Sequence, residues 1–327
     1  MKSNTLLKGL VTTVIPVHNR PALLREAVAS VLAQTYRPVE VVIVDDGSTD
    51  DTLAAAAGLS RQHADEVRVI SRANAGPGAA REAGRVEARG EFIQYLDSDD
   101  LLLPGKFELQ VAGLAAHPEC GVSYGKTRYY RVGSRATDLP WKRTGEKVDE
   151  MFPTFLESRW WGTSTPLYRR SLSDLAGPWT TLRSEEDWEY DCRMASQGVL
   201  LHYVPEFVSE EREHDGERLS RNGSRERSKL KDRASAHALI LRHAQRAGIG
   251  EGVPEMKHFA RELFLLSRQC GAAGLAHESE NLFRLAKNAS GQLRGEKWDF
   301  KLYERLAALA GWCLMGKITC YSDNLRK

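Results

Sequence analysis

A run of β-branched residues that leads directly into two acids and a glycine constrains the fold of this chain most strongly. In Val39–Val44 (VEVVIV) only Glu40 interrupts the apolar residues, which is typical of a strand buried on both faces of a parallel sheet. The run ends in the turn sequence Asp45-Asp46-Gly47-Ser48, and an alanine-rich helix is predicted from about Asp50. A buried strand with acids at its carboxyl end predicts an α/β sheet whose ligands bind beyond that end.

The same alternation of strand and helix patterns repeats along the first hundred residues. Leu10–Pro16, Val67–Ile70 and Phe92–Leu96 are predicted strands, and the last of them ends in Asp97-Ser98-Asp99-Asp100. Because successive βα units place their strands side by side, they predict a doubly wound, mostly parallel, Rossmann-like sheet. A further strand is predicted at Leu200–Val204, where the sheet-forming part of the chain closes.

A change in composition near residue 217 separates this α/β part from the rest. Residues 206–217 carry six acids and one base, and residues 218–233 carry seven bases and two acids. From about residue 224 the pattern is helical throughout. We therefore predict an α/β catalytic domain over residues 1–217 and a helical C-terminal region over residues 218–327. The basic run is either a solvated helix face or a surface that approaches anionic lipid.

Charge and cysteine content exclude several classes of protein. The 327 residues carry 46 Lys and Arg against 44 Asp and Glu, so nucleic acid is not an expected partner. No apolar run reaches the roughly 20 residues that span a bilayer, and the N-terminus does not resemble a signal peptide. The five cysteines form no C-x-x-C pair, which favours a reducing compartment. We expect a cytoplasmic protein, with peripheral contact at the inner face of the membrane as an open alternative.

Carboxylates concentrate where the predicted strands end. Acids that converge on a crevice repel each other, so we expect a divalent cation and a phosphorylated ligand to join them. Mg²⁺ and Mn²⁺ prefer oxygen ligands, and Mg²⁺ is commonly held by one or two carboxylates plus substrate phosphates. The spacing of Asp97 and Asp99 lets one carboxylate face the metal and the other face sugar hydroxyls. The alternative is an N-cap cluster for the helix that follows Pro104.

Three motifs carry a resemblance to a known family. Ile15–Arg20 (IPVHNR), Ile43–Asp50 (IVDDGSTD) and Gly90–Asp100 (GEFIQYLDSDD) are similar to segments of the GT-A-fold glycosyltransferases of family 2, in the same order and at similar spacing. The resemblance covers about residues 10–215. It implies a GT-A fold and the transfer of a sugar from a nucleotide-sugar donor with inversion of configuration.

The resemblance also implies a donor and metal site. The donor-binding residues that it implies are Pro16, Asn19, Asp46, Arg72, Asn74, Arg81 and Asp97. Asp46 would accept a hydrogen bond from the imide N–H of uracil or thymine, which favours a UDP-sugar, and Arg81 would pair with a phosphate. Asp99 and, by a loose match, His214 would hold Mn²⁺ or Mg²⁺.

The acceptor side is implied by less specific segments. Ser184–Trp188 resembles the family's Glu-Asp element, in which Asp187 would be the general base; an ordinary acid in the first turn of a helix is the alternative. Trp160, Trp161 and Trp188 are candidates for stacking on acceptor sugars, and core packing is the alternative for each.

The expected function is therefore that of an inverting, metal-dependent glycosyltransferase. It would move a hexose from a UDP-sugar to a glycan or lipid-linked glycan acceptor in surface polysaccharide biosynthesis. A nucleotidyltransferase would require a glycine-rich phosphate loop where Pro16-Val17-His18-Asn19 stands. A non-catalytic nucleotide-sugar-binding or scaffold protein of the same fold stays open as the main alternative.

Overall fold

Two compact units make up the computed structural model, which describes residues 6–134, 137–214, 226–291, 295 and 297–324. Unit 1 comprises Met1–Met151, Trp160–Thr181 and Gly198–Gly216. Unit 2 comprises Phe152–Arg159, Leu182–Gln197 and Glu217–Lys327. The boundary predicted at residue 217 lies outside the described residues, and two segments that precede it group with the C-terminal helices.

Unit 1 is built on one eight-stranded sheet. Its strands are β1 (Leu7–Val17), β2 (Val39–Asp46), β3 (Val67–Arg72), β4 (Gly90–Tyr95), β5 (Leu101–Leu102), β6 (Cys120–Arg131), β7 (Leu167–Arg169) and β8 (Leu200–Glu213). The spatial order is β3-β2-β1-β4-β7-β6-β8-β5. The strands β1 to β4 pair in parallel, as do β6 and β8, whereas β7 runs antiparallel to both of its neighbours. The predicted doubly wound, mostly parallel sheet is confirmed.

Five helices flank this sheet in sequence. They are α1 (Pro21–Leu32), α2 (Thr52–Gln62), α3 (Pro77–Glu87), α4 (Lys106–Ala116) and α5 (Arg170–Ala176). Proline stands in the first turn of α1 and α3, where its missing N–H costs nothing. The apolar side of α1 packs against the sheet through Leu24, Val28 and Val31, which are fully buried. Because each of the strands β1 to β3 is followed by a helix, their carboxyl ends lie at the same edge of the sheet.

One buried acid in β2 departs from the apolar pattern of that strand. Glu40 accepts hydrogen bonds from Thr12 Oγ1 at 2.5 Å and from Arg89 Nε at 2.8 Å, and it lies 3.2 Å from Arg68 Nη2. Burial on its own raises the pKa of Glu40, but these hydrogen bonds and the charge of Arg68 outweigh it and leave the pKa lowered. The carboxylate is thus kept ionised inside the sheet. It connects β2 to Thr12 of β1 and to Arg68 of β3.

Unit 2 is helical. Its elements are a short 3₁₀ helix (Thr154–Leu156) and the helices α6 (Glu186–Ala195), α7 (Arg227–Arg246), α8 (Pro254–Ala272), α9 (Ala276–Ala289), α10 (Trp298–Ala310) and α11 (Trp312–Asn324). The predicted helical C-terminal region is confirmed. Of the predicted basic run, positions 218, 221 and 225 lie outside the described residues, and Arg233 pairs with Glu185 at 2.8 Å. None of the helices in the described part of the chain is long and apolar enough to cross a membrane.

Candidate active site

The loops that follow β1 and β2 are bound to each other at the carboxyl edge of the sheet. Pro16, near the end of β1, lies opposite Val44 of β2. The Asn19 N–H donates to Ser48 Oγ at 3.0 Å, and Asn19 Oδ1 accepts the Thr49 N–H at 2.8 Å. Asn19 has a φ of 53°, a left-handed conformation that asparagine tolerates better than most residues. Its side chain therefore holds together the two loops that are predicted to bind the nucleotide.

Asp46 is fixed by donors from the loop after β3. Its carboxylate accepts the Gly76 N–H at 2.7 Å and the Ala75 N–H at 3.1 Å, and Arg72 Nε lies 3.4 Å away. Only 5% of Asp46 is exposed. A carboxylate offers about four acceptor positions, so three donors leave it able to accept one more. This arrangement is compatible with the predicted contact to a pyrimidine imide.

The turn after Asp46 needs a glycine. Gly47 has a φ of 72°, and a Cβ there would lie 2.7 Å from the Asn74 backbone nitrogen. Asn74 Nδ2 in turn lies 3.3 Å from His18 Nδ1, which is 3.1 Å from the Asp46 carbonyl oxygen. Asn74, which is predicted to bind the nucleotide-sugar, thus contacts His18, for which the sequence indicated no role, beside the Asp46 backbone.

Arg81 is directed at Asp97. Its guanidinium donates to Asp97 Oδ1 at 2.7 Å and lies over the Trp179 ring, with 5.0 Å between the guanidinium carbon and the ring centroid. The Arg81 side chain is 4% exposed, whereas that of Asp97 is 34% exposed. Arg81 therefore holds Asp97 in a position where its carboxylate is partly exposed to solvent, and the contact of Arg81 with a phosphate stays a prediction.

Asp99 is the meeting point of three chain segments. Its Oδ2 lies 2.8 Å from Arg20 Nη1 and 3.0 Å from His214 Nε2. The predicted pair Asp99 and His214 is thus in direct contact. Arg20 is a site residue that sequence reasoning left without a role, although its position directly after Asn19 in the first motif was a signal.

The residues at Asp99 fit a divalent cation in part. A carboxylate oxygen, which suits Mn²⁺ and Mg²⁺, lies beside an imidazole nitrogen, which is a common metal ligand in proteins. Within the described residues, no group of three or more His, Cys, Asp or Glu side chains forms a ready-made metal cage. Because Mg²⁺ and its relatives are commonly completed by substrate phosphates, two protein ligands are compatible with a site that forms together with the donor.

A further acid, Asp100, lies next to Asp99 in the chain. Asp100 is buried, and burial raises its pKa well above the usual range, with further contributions from the charges of Glu211, Asp99 and Asp97. The Arg212 N–H donates to Asp100 Oδ1 at 3.1 Å, and Arg212 Nε donates to the Asp99 carbonyl oxygen at 2.7 Å. Arg212 on β8 therefore braces the loop that carries both acids, a role the sequence did not indicate.

Asp187 lies at the start of α6 in unit 2 and is held by an arginine. Arg159 Nη1 donates to Asp187 Oδ2, and Arg159 Nε donates to Asp191 Oδ2 at 2.7 Å. Asp191 is fully buried, while the side chain of Asp187 is 29% exposed. The proposed base is therefore both fixed and accessible. Sequence reasoning missed Arg159 and Asp191, although the i, i+4 spacing of the two acids places them on one helix face.

The tryptophans expected at the acceptor differ in exposure. Trp160 and Trp161 are 1% and 0% exposed, which argues against sugar stacking and corrects that expectation. Arg143 covers the Trp160 ring at 3.8 Å, and Trp161 packs on Tyr124 with 5.0 Å between ring centroids. Large indole rings stabilise a fold most when they are fully removed from water, and these two rings are buried in the core. Trp188 is partly buried, and its Nε1–H donates to the Phe155 carbonyl at 2.8 Å.

The sequence of this chain is similar to those of known proteins. Residues 12–173 match the family model described as Glycosyl transferase family 2. An uncharacterised glycosyltransferase of Rickettsia conorii is 31% identical over 161 residues, which are 48% of this chain and 26% of the relative. The succinoglycan biosynthesis protein ExoW of Rhizobium meliloti is 41% identical over 96 residues, 28% of this chain and 30% of that protein. The matched part thus spans about a quarter to a third of these relatives.

Solved structures share the fold over most of the chain. TarS residues 1–349 of S. aureus, in complex with UDP-GlcNAc, match with a TM-score of 0.66 and 20% identity over 90% of this chain and 91% of that one. The mannosyltransferase PcManGT of Pyrobaculum calidifontis, in complex with GDP-Man and Mn²⁺, matches with a TM-score of 0.53 and 21% identity over 96% and 86%. The matched motifs and the shared sheet show that this chain carries a domain of glycosyltransferase family 2 with a GT-A fold.

Proposed function

We propose that this chain is an inverting glycosyltransferase that moves a sugar from a UDP-sugar to a glycan or lipid-linked glycan acceptor. The observation that carries the proposal is that Asp46 lies at the carboxyl end of β2 and Asp99, in contact with His214, follows the carboxyl end of β4, with β1 pairing in parallel between these two strands. Ligands of open α/β sheets bind at this edge. The relation to a succinoglycan biosynthesis protein supports a role in surface polysaccharide assembly.

Asp46 selects the base in this proposal. Its buried carboxylate can accept the imide N–H of uracil, whereas cytosine offers an unprotonated ring nitrogen at that position and would be repelled. The backbone N–H groups of Ala75 and Gly76 keep the carboxylate oriented, and Pro16 and Asn19 shape the loops beside it. Arg72 and Asn74 lie on the segment that faces the rest of the donor.

Asp99 and His214 would hold Mn²⁺ or Mg²⁺, and the ion would stabilise the negative charge on the leaving diphosphate. The chain's own residues prepare that position. Arg20 and Arg212 fix the Asp99 carboxylate and its backbone carbonyl, and Arg81 directs Asp97 toward the donor sugar hydroxyls. The Arg20 and His214 contacts to Asp99 Oδ2 would give way when a cation binds there, whereas Arg212 and Arg81 contact other atoms and would keep their positions.

Asp187 would act as the general base. It would remove the proton of the acceptor hydroxyl while that oxygen attacks the anomeric carbon from the face opposite the nucleotide, so that one displacement inverts the configuration. Arg159, anchored on Asp191, holds the Asp187 carboxylate in one orientation. A positioned base of this kind contributes about 10²–10⁴-fold to the rate.

A panel of donors tests the proposal. The full chain is incubated with Mn²⁺ and UDP-, TDP- or GDP-sugars, and nucleotide release is followed over time. We expect release from one UDP-sugar and little from a CDP-sugar added to the panel, and loss of this preference for uracil over cytosine in Asp46→Asn. Tight UDP binding without release from any donor would instead favour the non-catalytic nucleotide-sugar-binding protein. Asp149→Asn, at an acid whose side chain is 80% exposed, is the matched control.

A further inference from the structure

Helix α10 has two apolar faces, and among the described residues one of them packs against other helices whereas the other is exposed. Phe300, Tyr303 and Ala307 are buried, and the rings of Phe300 and Tyr303 pack on Phe283 of α9, with centroids 5.5 and 5.4 Å apart. This face accounts for the attachment of α10 to the helices before it. A helix at a protein surface ordinarily presents polar residues on the opposite side.

The opposite side of α10 is apolar and exposed. Trp298, Leu302, Leu306 and Leu309 are 73%, 46%, 40% and 86% exposed. Their spacing of i, i+4, i+8 and i+11 places them in one line along the helix. At 1.5 Å per residue this line is about 16 Å long. Contiguous exposed apolar surface of this kind marks a site of interaction.

Helix α11 continues the pattern. Its inner side packs closely on α8, since a Cβ at Gly316 would lie 2.4 Å from the Ala272 nitrogen. Its outer side exposes Leu314, Ile318 and Tyr321 at i, i+4 and i+7. We call the exposed set on both helices the apolar stripe; it consists of Trp298, Leu302, Leu306, Leu309, Leu314, Ile318 and Tyr321.

Basic residues are exposed on both helices of the stripe. Lys301 and Arg305 are exposed on the flank of the α10 line, and Lys317 is exposed on α11. Of the two acids in α10, Glu304 pairs with Lys287 at 3.1 Å, and Asp299 Oδ1 accepts the Phe300 N–H at 3.0 Å. The stripe therefore combines leucines, two exposed aromatic rings and cationic side chains.

We propose that the apolar stripe docks on the surface of an anionic lipid bilayer, with α10 lying in the plane of the interface. Apolar side chains would enter the boundary between headgroups and acyl chains, and Lys301, Arg305 and Lys317 would meet the anionic headgroups. Exposed tryptophan and tyrosine suit the same interface, because one end of each ring system is apolar and the other polar. The inference stands apart from the proposed transferase activity.

The charges favour lipid over a second copy of the chain. A two-fold symmetric contact would pair the stripe with itself and bring the same cationic side chains of two copies into one interface. Like charges at such a contact are unfavourable, whereas an anionic bilayer attracts each of them.

Vesicle flotation tests the proposal with the full chain. Vesicles of phosphatidylcholine with phosphatidylglycerol are compared with pure phosphatidylcholine vesicles, and the bound fraction is measured. We expect binding to the anionic vesicles that falls at least about tenfold in the triple variant Leu302→Ser, Leu306→Ser, Leu309→Ser. The double variant Lys301→Glu, Arg305→Glu should lose binding to the anionic vesicles in particular. Leu175→Ser, at a leucine of α5 that is 65% exposed, should bind like the unchanged chain.

Three results would overturn the proposal. The first is an unchanged chain that binds neither kind of vesicle, and the second is a triple serine variant that binds as well as the unchanged chain. The third is a dimer in light scattering that the triple serine variant breaks while vesicle binding is absent, which would assign the stripe to a second copy. UDP release from the donor in solution is measured in parallel, so that failure of lipid binding is distinguishable from failure of the proposed function.

Discussion

Asp187 is the residue on which the proposed chemistry depends most. In Asp187→Asn the side chain keeps its size and most of its hydrogen bonds but cannot take a proton from the acceptor. We expect kcat to fall by about 10²–10⁴-fold, while UDP binding stays unchanged. Initial rates of UDP release in the presence of acceptor, together with calorimetric titration of UDP, check both parts. Turnover at the unchanged rate would remove Asp187 from the base role.

Arg159 is expected to matter for stability as well. Arg159→Ala leaves Asp191, which is fully buried, without its 2.7 Å ion pair. Removing one partner of a buried pair costs about 3–5 kcal/mol, because the remaining charge is uncompensated. Urea unfolding measures the difference. The matched control is Arg284→Ala, whose exposed ion pair with Glu280 should contribute about 1 kcal/mol or less. Equal losses in the two variants would contradict this assignment.

At the scale of residues, the sequence motifs identified candidate site residues, but the side chains that contact those residues could not be predicted. The motifs pointed to Asp46, Asp99 and His214, and the structure brings Asp99 and His214 into contact. Arg212 lies 113 positions from Asp99 and contacts it only because β8 folds back beside the acid-rich loop. A contact between residues so far apart in the chain produces no local sequence pattern from which it could be predicted.

At the scale of elements, two helical glycines give a matched pair. A Cβ at Gly84 in α3 would lie 2.3 Å from Val14 Cγ1 of β1, whereas a Cβ at Gly58 in α2 would come no closer than 4.0 Å to Arg61. Gly84→Ala should destabilise the protein by about 1–3 kcal/mol through overpacking. Gly58→Ala should stabilise it by about 0.8–1 kcal/mol through helix propensity. Chemical unfolding of both variants checks the prediction, and a stabilising Gly84→Ala would show that α3 does not pack on β1 as described.

The first four strands were predictable because each is bounded by turn residues and followed by a helix pattern. The strand β8 was predicted to end at Val204 but continues to Glu213. Residues 206–213 are rich in acids and lack a strand-like pattern, and they become a strand through pairing with β6 and β5. The position of β7, antiparallel between β4 and β6, also depends on pairing between distant segments and could not be predicted from local sequence.

At the scale of the whole molecule, Glu40 links stability to pH. Its pKa is lowered on folding, so the stabilisation that it provides is present above its usual pKa of 4.5 and is lost as the pH falls through the folded value. Between roughly pH 6 and pH 3, Glu40→Gln should therefore lose less free energy of unfolding than the unchanged chain. Denaturant unfolding across this range measures it, with Glu206→Gln at an exposed position as the control. Identical pH profiles for Glu40→Gln and the unchanged chain would contradict the interpretation.

The central claim about the whole molecule is that one edge of the sheet binds a metal and a UDP-sugar for transfer. The most direct test is the Mn²⁺ dependence of UDP release in the unchanged chain, in Asp99→Asn and in the control Asp149→Asn. We predict that release requires Mn²⁺, is abolished by a chelator and restored by added metal, and falls by at least about 100-fold in Asp99→Asn but not in the control. Release that is insensitive to the chelator, or an Asp99→Asn variant that turns over at the unchanged rate, would contradict the account.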